Sequence, residues 1–86
     1  MLRSQFPIPD PTRRILDLCR SHVKNTLSVD LSSRLISDLQ MDSLDRVGFI
    51  MDIEDAYSIS IPDSKLDDLL TVEDVVDYVK AAKWWT

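Results

Sequence analysis

The sequence predicts one small all-α domain, built from three helices of ordinary length, one very short helix and a long first loop. Apolar side chains recur at helical spacing in separate runs, and a single glycine and four prolines leave those runs largely uninterrupted. The 44% hydrophobic and 29% charged composition belongs to a folded chain and not a disordered one. At 86 residues there is room for one core, with little apolar surface to spare.

Residues 1–11 carry Pro7, Pro9 and Pro11 with little periodicity and are expected to form an arm, with Pro11 placed near the first turn of a helix. From Thr12 to about Asn25, Ile15, Leu18, Cys19 and Val23 recur on one face and predict the first helix. Leu27 to Met41 has no sustained period. Its Leu27, Val29, Leu31, Leu35, Ile36, Leu39 and Met41 are expected to pin a long ordered loop to the core, and loops of that length are often functional.

The second helix is predicted from Ser43 to Tyr57, with Asp42 as N-cap and Asp45 in its first turn. Ile59 and Ile61 belong to an extended connector closed by Pro62. A short third helix, capped by Asp63 or Ser64, is expected to run to about Leu69. The last helix follows Thr71, which with Asp74 makes an acidic cap, and Leu69, Val72, Val75, Val76 and Val79 form its stripe. These assignments divide the chain into an arm (1–11), a domain (12–83) and a short tail (84–86).

The second helix has two apolar faces. At about 100° per residue, Phe49, Ile50, Ile53, Ala56 and Tyr57 share the core sector, whereas Leu44, Val47 and Met51 fall on the other side. Asp45, Asp52, Glu54 and Asp55 rim that second strip. An apolar centre with an acidic rim suits a protein partner, the alternative being a helix buried on both sides with Leu44 packed under the loop. Arg46 points toward the core sector and is expected to reach solvent by snorkelling.

Fifteen acids against ten bases give a formal charge of −5, which opposes nucleic acid and anionic lipid and favours basic partners. Cys19, the single cysteine, lies among apolar neighbours and reads as a buried thiol. No stretch reaches membrane-spanning length and the N-terminus lacks a continuous apolar signal segment, so a cytoplasmic protein is expected.

Ser43 is the residue on which these features converge. A serine at a helix start is by itself a cap or first-turn residue. His22, the single histidine, is placed in the first helix, so no base adjoins Ser43 in sequence and a self-sufficient serine hydrolase is not expected. Chemistry at Ser43 would come from another protein, with a phosphodiester as the product that a helix N-terminus tolerates.

Three blocks in order, Leu35-Ile-Ser-Asp-Leu-Gln-Met-Asp-Ser-Leu-Asp-Arg-Val, Met51-Asp-Ile-Glu-Asp-Ala-Tyr-Ser-Ile-Ser-Ile-Pro-Asp and Leu70-Thr-Val-Glu-Asp-Val-Val-Asp-Tyr-Val, resemble the acyl carrier proteins. The resemblance spans roughly Thr12 to Lys80. It implies a four-helix bundle that is not an enzyme, with 4'-phosphopantetheine attached to Ser43 by a Mg²⁺-dependent phosphopantetheinyl transferase and acyl groups held on its thiol. It also implies that Asp42, Leu44, Asp45, Val47, Met51, Glu54 and Asp55 face acyl-transferring or condensing enzymes with basic patches. The carrier is expected to act as a monomer, in fatty-acid, lipid or secondary-metabolite synthesis. An aminoacyl or peptidyl carrier and an unmodified helical interaction module are the alternatives.

The chain departs from that family at Gly48, where glutamate is usual, at Asp52, where a small apolar residue is usual, and at Arg46 in an otherwise acidic turn. Gly48 is expected to lower a wall for a partner loop or an unusual acyl chain. The Trp84-Trp85 tail is expected to cover the bundle end, the alternative being that it extends a partner surface or an acyl pocket.

Overall fold

The computed structural model describes residues 10–23 and 28–83, which form four helices and no strand. The arm up to Pro9 and the tryptophan tail lie outside the described residues.

Helix α1 runs from Thr12 to Arg20. Pro11 occupies the N-cap but its ring carries no acceptor, and Asp10 does that work instead, accepting from the Thr12 N–H at 3.0 Å and its hydroxyl at 2.7 Å. Ile15 and Cys19, one turn apart, face the core and are fully buried. The helix ends earlier than the expected Asn25. The Ser21 hydroxyl donates to the Leu18 carbonyl at 2.7 Å, and the His22 and Val23 N–H groups reach back three residues, which tightens and closes the turn. His22 therefore lies beyond α1 and not within it.

The described part of the loop before the next helix, from Ser28 on, is held by a local turn and by backbone bonds. Asp30 accepts from the Ser32 N–H and from both the Ser32 and Ser33 hydroxyls, and those bonds hold its carboxyl below the usual carboxylate range. Backbone bonds then tie the loop to the region ahead of the last helix: Leu35 N–H to the Leu70 carbonyl at 2.9 Å, Val72 N–H to Ser33 at 3.1 Å, and Glu73 N–H to Leu31 at 2.9 Å. Val29, Leu35, Leu39 and Met41 are buried as expected. Ile36 is not: it is 49% exposed, because its neighbour Leu35 takes the inward position and adjacent side chains in this turn cannot both do so.

Helix α2 spans Ser43–Tyr57, as predicted. Gln40, at φ 58°, reverses the chain just ahead of it. Asp42 accepts from the Asp45 N–H at 2.8 Å while Asp45 accepts from the Asp42 N–H at 3.4 Å, a reciprocal capping box. Phe49, Ile50 and Ile53 are buried, with Tyr57 packed against the same cluster. At the other end Ser58 adopts the left-handed conformation at φ 54° and stops the helix.

Helix α3 is a single turn, Asp63–Leu66, shorter than the expected run to Leu69. Its N-cap is Pro62, with no side-chain bond from Asp63 or Ser64 to the helix start. The Lys65, Asp68 and Leu69 N–H groups reach carbonyls only three residues back, so the chain continues as tight turns instead of α-helix. Helix α4, Val72–Lys83, starts with the predicted cap: Thr71 Oγ1 accepts from the Asp74 N–H at 3.1 Å and Asp74 Oδ2 accepts from the Thr71 N–H at 3.1 Å. Val72, Val75, Val76 and Val79 pack inward from it, and together with Leu69, Ile61 and the buried residues of α1, α2 and the loop they form one core.

Candidate functional site

The core packing of α2 determines what its remaining face can do. With Phe49, Ile50 and Ile53 turned inward, Leu44, Val47 and Met51 are left 79%, 41% and 56% exposed. The helix is thus not buried on both sides, and Leu44 does not pack under the loop. Ser43, the first residue of α2, is exposed. Because Asp42 and Asp45 carry the capping duty, the Ser43 hydroxyl is not needed by the fold, and no hydrogen bond engages it among the described residues.

The acidic rim divides by role. Asp55 is exposed, with no side-chain bond among the described residues. Asp42 and Asp45 are bound into the capping box. Glu54 is partly buried, and its Oε2 accepts from the Ile61 N–H at 2.7 Å, which fixes the connector to α3. Three of the four carboxylates expected at a partner surface therefore also hold local structure.

Gly48 and Asp52 share one explanation. The space beside Gly48 is filled from within the molecule: a Cβ built there would lie 3.0 Å from His22 Cε1 and 3.3 Å from His22 Nδ1. Four residues on, Asp52 Oδ2 meets His22 Nε2 at 2.6 Å, and the imidazole is tilted against Phe49 with ring centroids 6.3 Å apart. Gly48 is thus the seat of the His22 ring, not an opening for a partner loop.

This seat makes a measurable prediction. Replacing glycine by alanine inside a helix gains about 1 kcal/mol from backbone propensity. In the native chain the new methyl group must displace the imidazole, so most of that gain is lost. Gly48→Ala is expected to be more stabilising by roughly 1 kcal/mol in a His22→Ala background than in the native one, by urea unfolding. Additive effects would show that the ring does not occupy the seat.

Arg46 is only partly accessible. Its Nε is enclosed with no hydrogen-bond partner among the described residues, so the expected escape to solvent is incomplete. Ile36 and Leu70, the latter 59% exposed, line a cavity together with Arg46. Ile36, expected in the core, thus lies at this cavity beside Leu70.

The family described as "phosphopantetheine attachment site" matches residues 13–79. Over 66 residues the chain is 46% identical to an acyl carrier protein of Helicobacter hepaticus, covering 71% of this chain and 87% of that one. An acyl carrier protein of Campylobacter lari is 39% identical over 71 residues, 77% of this chain and 92% of that relative. The chain belongs to the acyl carrier protein family. The helical order, the capped start of α2 and the exposed strip beside it belong to an acyl carrier, a class of carriers and not of catalysts.

The acyl carrier family implies a covalent 4'-phosphopantetheine, and the residues present fit it. The Ser43 hydroxyl faces solvent, and the N–H groups of Ser43 and Leu44 at the helix start have no acceptor among the described residues. A helix start of this kind accommodates a phosphodiester oxygen. When bound, the group supplies a terminal thiol that carries an acyl chain as a thioester.

Proposed function

We propose that Ser43 is the attachment point and that this carrier delivers acyl thioesters to enzymes that dock on α2. The observation that carries the proposal is an exposed hydroxyl that is spare to the fold, set at a firmly capped helix start beside an apolar strip. The similar proteins of Helicobacter hepaticus and Campylobacter lari are acyl carrier proteins, which supports an acyl cargo over an aminoacyl one. In the loading step the Ser43 oxygen bonds to the phosphorus bearing pantetheine in coenzyme A. The pyrophosphate linkage breaks, 3',5'-adenosine bisphosphate leaves, and the hydroxyl proton passes to the transferase. His22 is not the base for this: it is engaged with Asp52, more than two helical turns along α2 from Ser43.

On this proposal Leu44, Val47 and Met51 form the centre of the docking face and Asp55 its freest rim charge, with Asp42, Asp45 and Glu54 contributing field while holding local structure. Partners are then enzymes with basic patches, in fatty-acid, lipid or secondary-metabolite synthesis. Residues 12–83 act as the carrier domain, as a monomer in the cytoplasm. Among the described residues no helix is long and apolar enough to cross a membrane.

The deciding experiment is intact mass after incubation with coenzyme A, Mg²⁺ and a broad-specificity phosphopantetheinyl transferase. A gain of one phosphopantetheine is expected, whereas a folded sample that gains nothing overturns the proposal. Thiol counting gives an independent reading. Cys19 is fully buried and its thiol is pushed up to about 11 by that burial, so it stays protonated and unreactive in the native protein at neutral pH. The native protein is expected to show no fast-reacting thiol before loading and one after.

A further inference from the structure

An open cavity of about 520 Å³ borders the first turns of α2, walled by Ile36, Leu69 and Leu70 and flanked by Arg34 and Arg46. Its charge is opposite to that of the chain. In a molecule of net charge −5, two guanidinium groups meet at one groove, and neither forms an ion pair among the described residues. Asp74, the acid in the lining, already has its Oδ2 committed to the Leu70 and Thr71 N–H groups. The Arg46 Nε–H is enclosed without an acceptor among the described residues, while the partly accessible side chain lines the cavity with no carboxylate paired to it, so its charge is open to an anion there.

The position of Arg46 indicates which anion. It follows Ser43 by three residues, a spacing that puts both on the same side of a helix. Long helical side chains lean back over the turn N-terminal to their own Cα, a direction that brings the Arg46 guanidinium within reach of a group carried on Ser43. A phosphodiester and a guanidinium are both permanently charged near neutrality, and their geometries match.

We propose that Arg46 binds the phosphodiester of the arm carried on Ser43 and thereby lays the arm along the cavity walled by Ile36, Leu69 and Leu70. Arg34 is the second cation at the edge of that groove. The inference rests on attachment at Ser43. The departure at Arg46 then has a purpose: it gives the arm a resting place on its own carrier between deliveries.

The test compares apo and loaded protein by NMR, with loading verified by mass. Loading is expected to displace the Arg46 Nε–H resonance and the amides of Ile36, Leu69 and Leu70, as well as those around Ser43. In Arg46→Gln the displacements at Ile36, Leu69 and Leu70 are expected to fall by more than half, while those at residues 42–45 persist. Arg46→Lys, which keeps the charge but loses the fork, is expected to fall between the two. Raising the salt concentration is expected to weaken the native pattern. Displacements confined to residues 42–45 in the native protein, or unchanged by Arg46→Gln in a variant whose apo circular dichroism is native, overturn the inference and leave attachment standing. A lack of mass gain at the loading step overturns the attachment itself.

Discussion

Ser43→Ala is expected to abolish loading completely while changing unfolding free energy by less than about 0.5 kcal/mol. The two effects separate because the residues that start α2 are not the residue proposed to react. Asp42 and Asp45 satisfy each other's backbone N–H groups, so removing the Ser43 oxygen orphans nothing. Alanine is also a strong helix former, and the side chain is exposed. Intact mass and urea unfolding on one preparation check both halves. If the alanine variant still gains a phosphopantetheine, attachment lies at another exposed serine, such as Ser58, Ser60 or Ser64, and the site assignment fails.

The second large effect is expected at Phe49→Ala. Phe49 is wholly buried and, with Ile50 and Ile53, holds α2 to the core. Truncating a buried phenylalanine costs about 3–5 kcal/mol, and small domains have a net stability of only about 5–15 kcal/mol, with chains of this length toward the lower end. The variant is expected to lose most of its cooperative thermal transition, and loading should decline with it because Ser43 sits on the same helix. Met51→Ala, two positions along and 56% exposed, is the control and should stay within about 0.5 kcal/mol of the native protein. Equal stability of the two variants would falsify the assignment of the inward and outward faces of α2.

Those two faces were legible in the sequence, since helical periodicity reports burial directly and a capping aspartate marks a helix start. The same holds for the valine stripe of α4 and its Thr71–Asp74 cap. Hydrogen bonds between a side chain and a nearby backbone were not legible. The Ser21 hydroxyl that closes α1 early, and the three-residue bonds that shorten α3, depend on local geometry that periodicity does not encode. Ile36 was misplaced because an apolar residue in a loop carries no phase to say whether it faces in or out. The roles of Gly48 and Asp52 needed the fold, because their common partner, His22, lies far away in the chain and meets them only once α1 packs against α2.

Glu54 complicates any mutational map of the docking face. Its carboxylate is the acceptor that keeps the Ile61 N–H bonded at 2.7 Å, so it serves as a hinge pin between α2 and α3 as well as a surface charge. Reversing it to lysine would loosen the connector and alter the field in one step, and weakened partner binding could be credited to either cause. Glu54→Gln keeps an oxygen for Ile61 and removes only the charge. Paired with Asp55→Asn, where no backbone depends on the side chain, it separates recognition by an enzyme from the mechanical hold on α3.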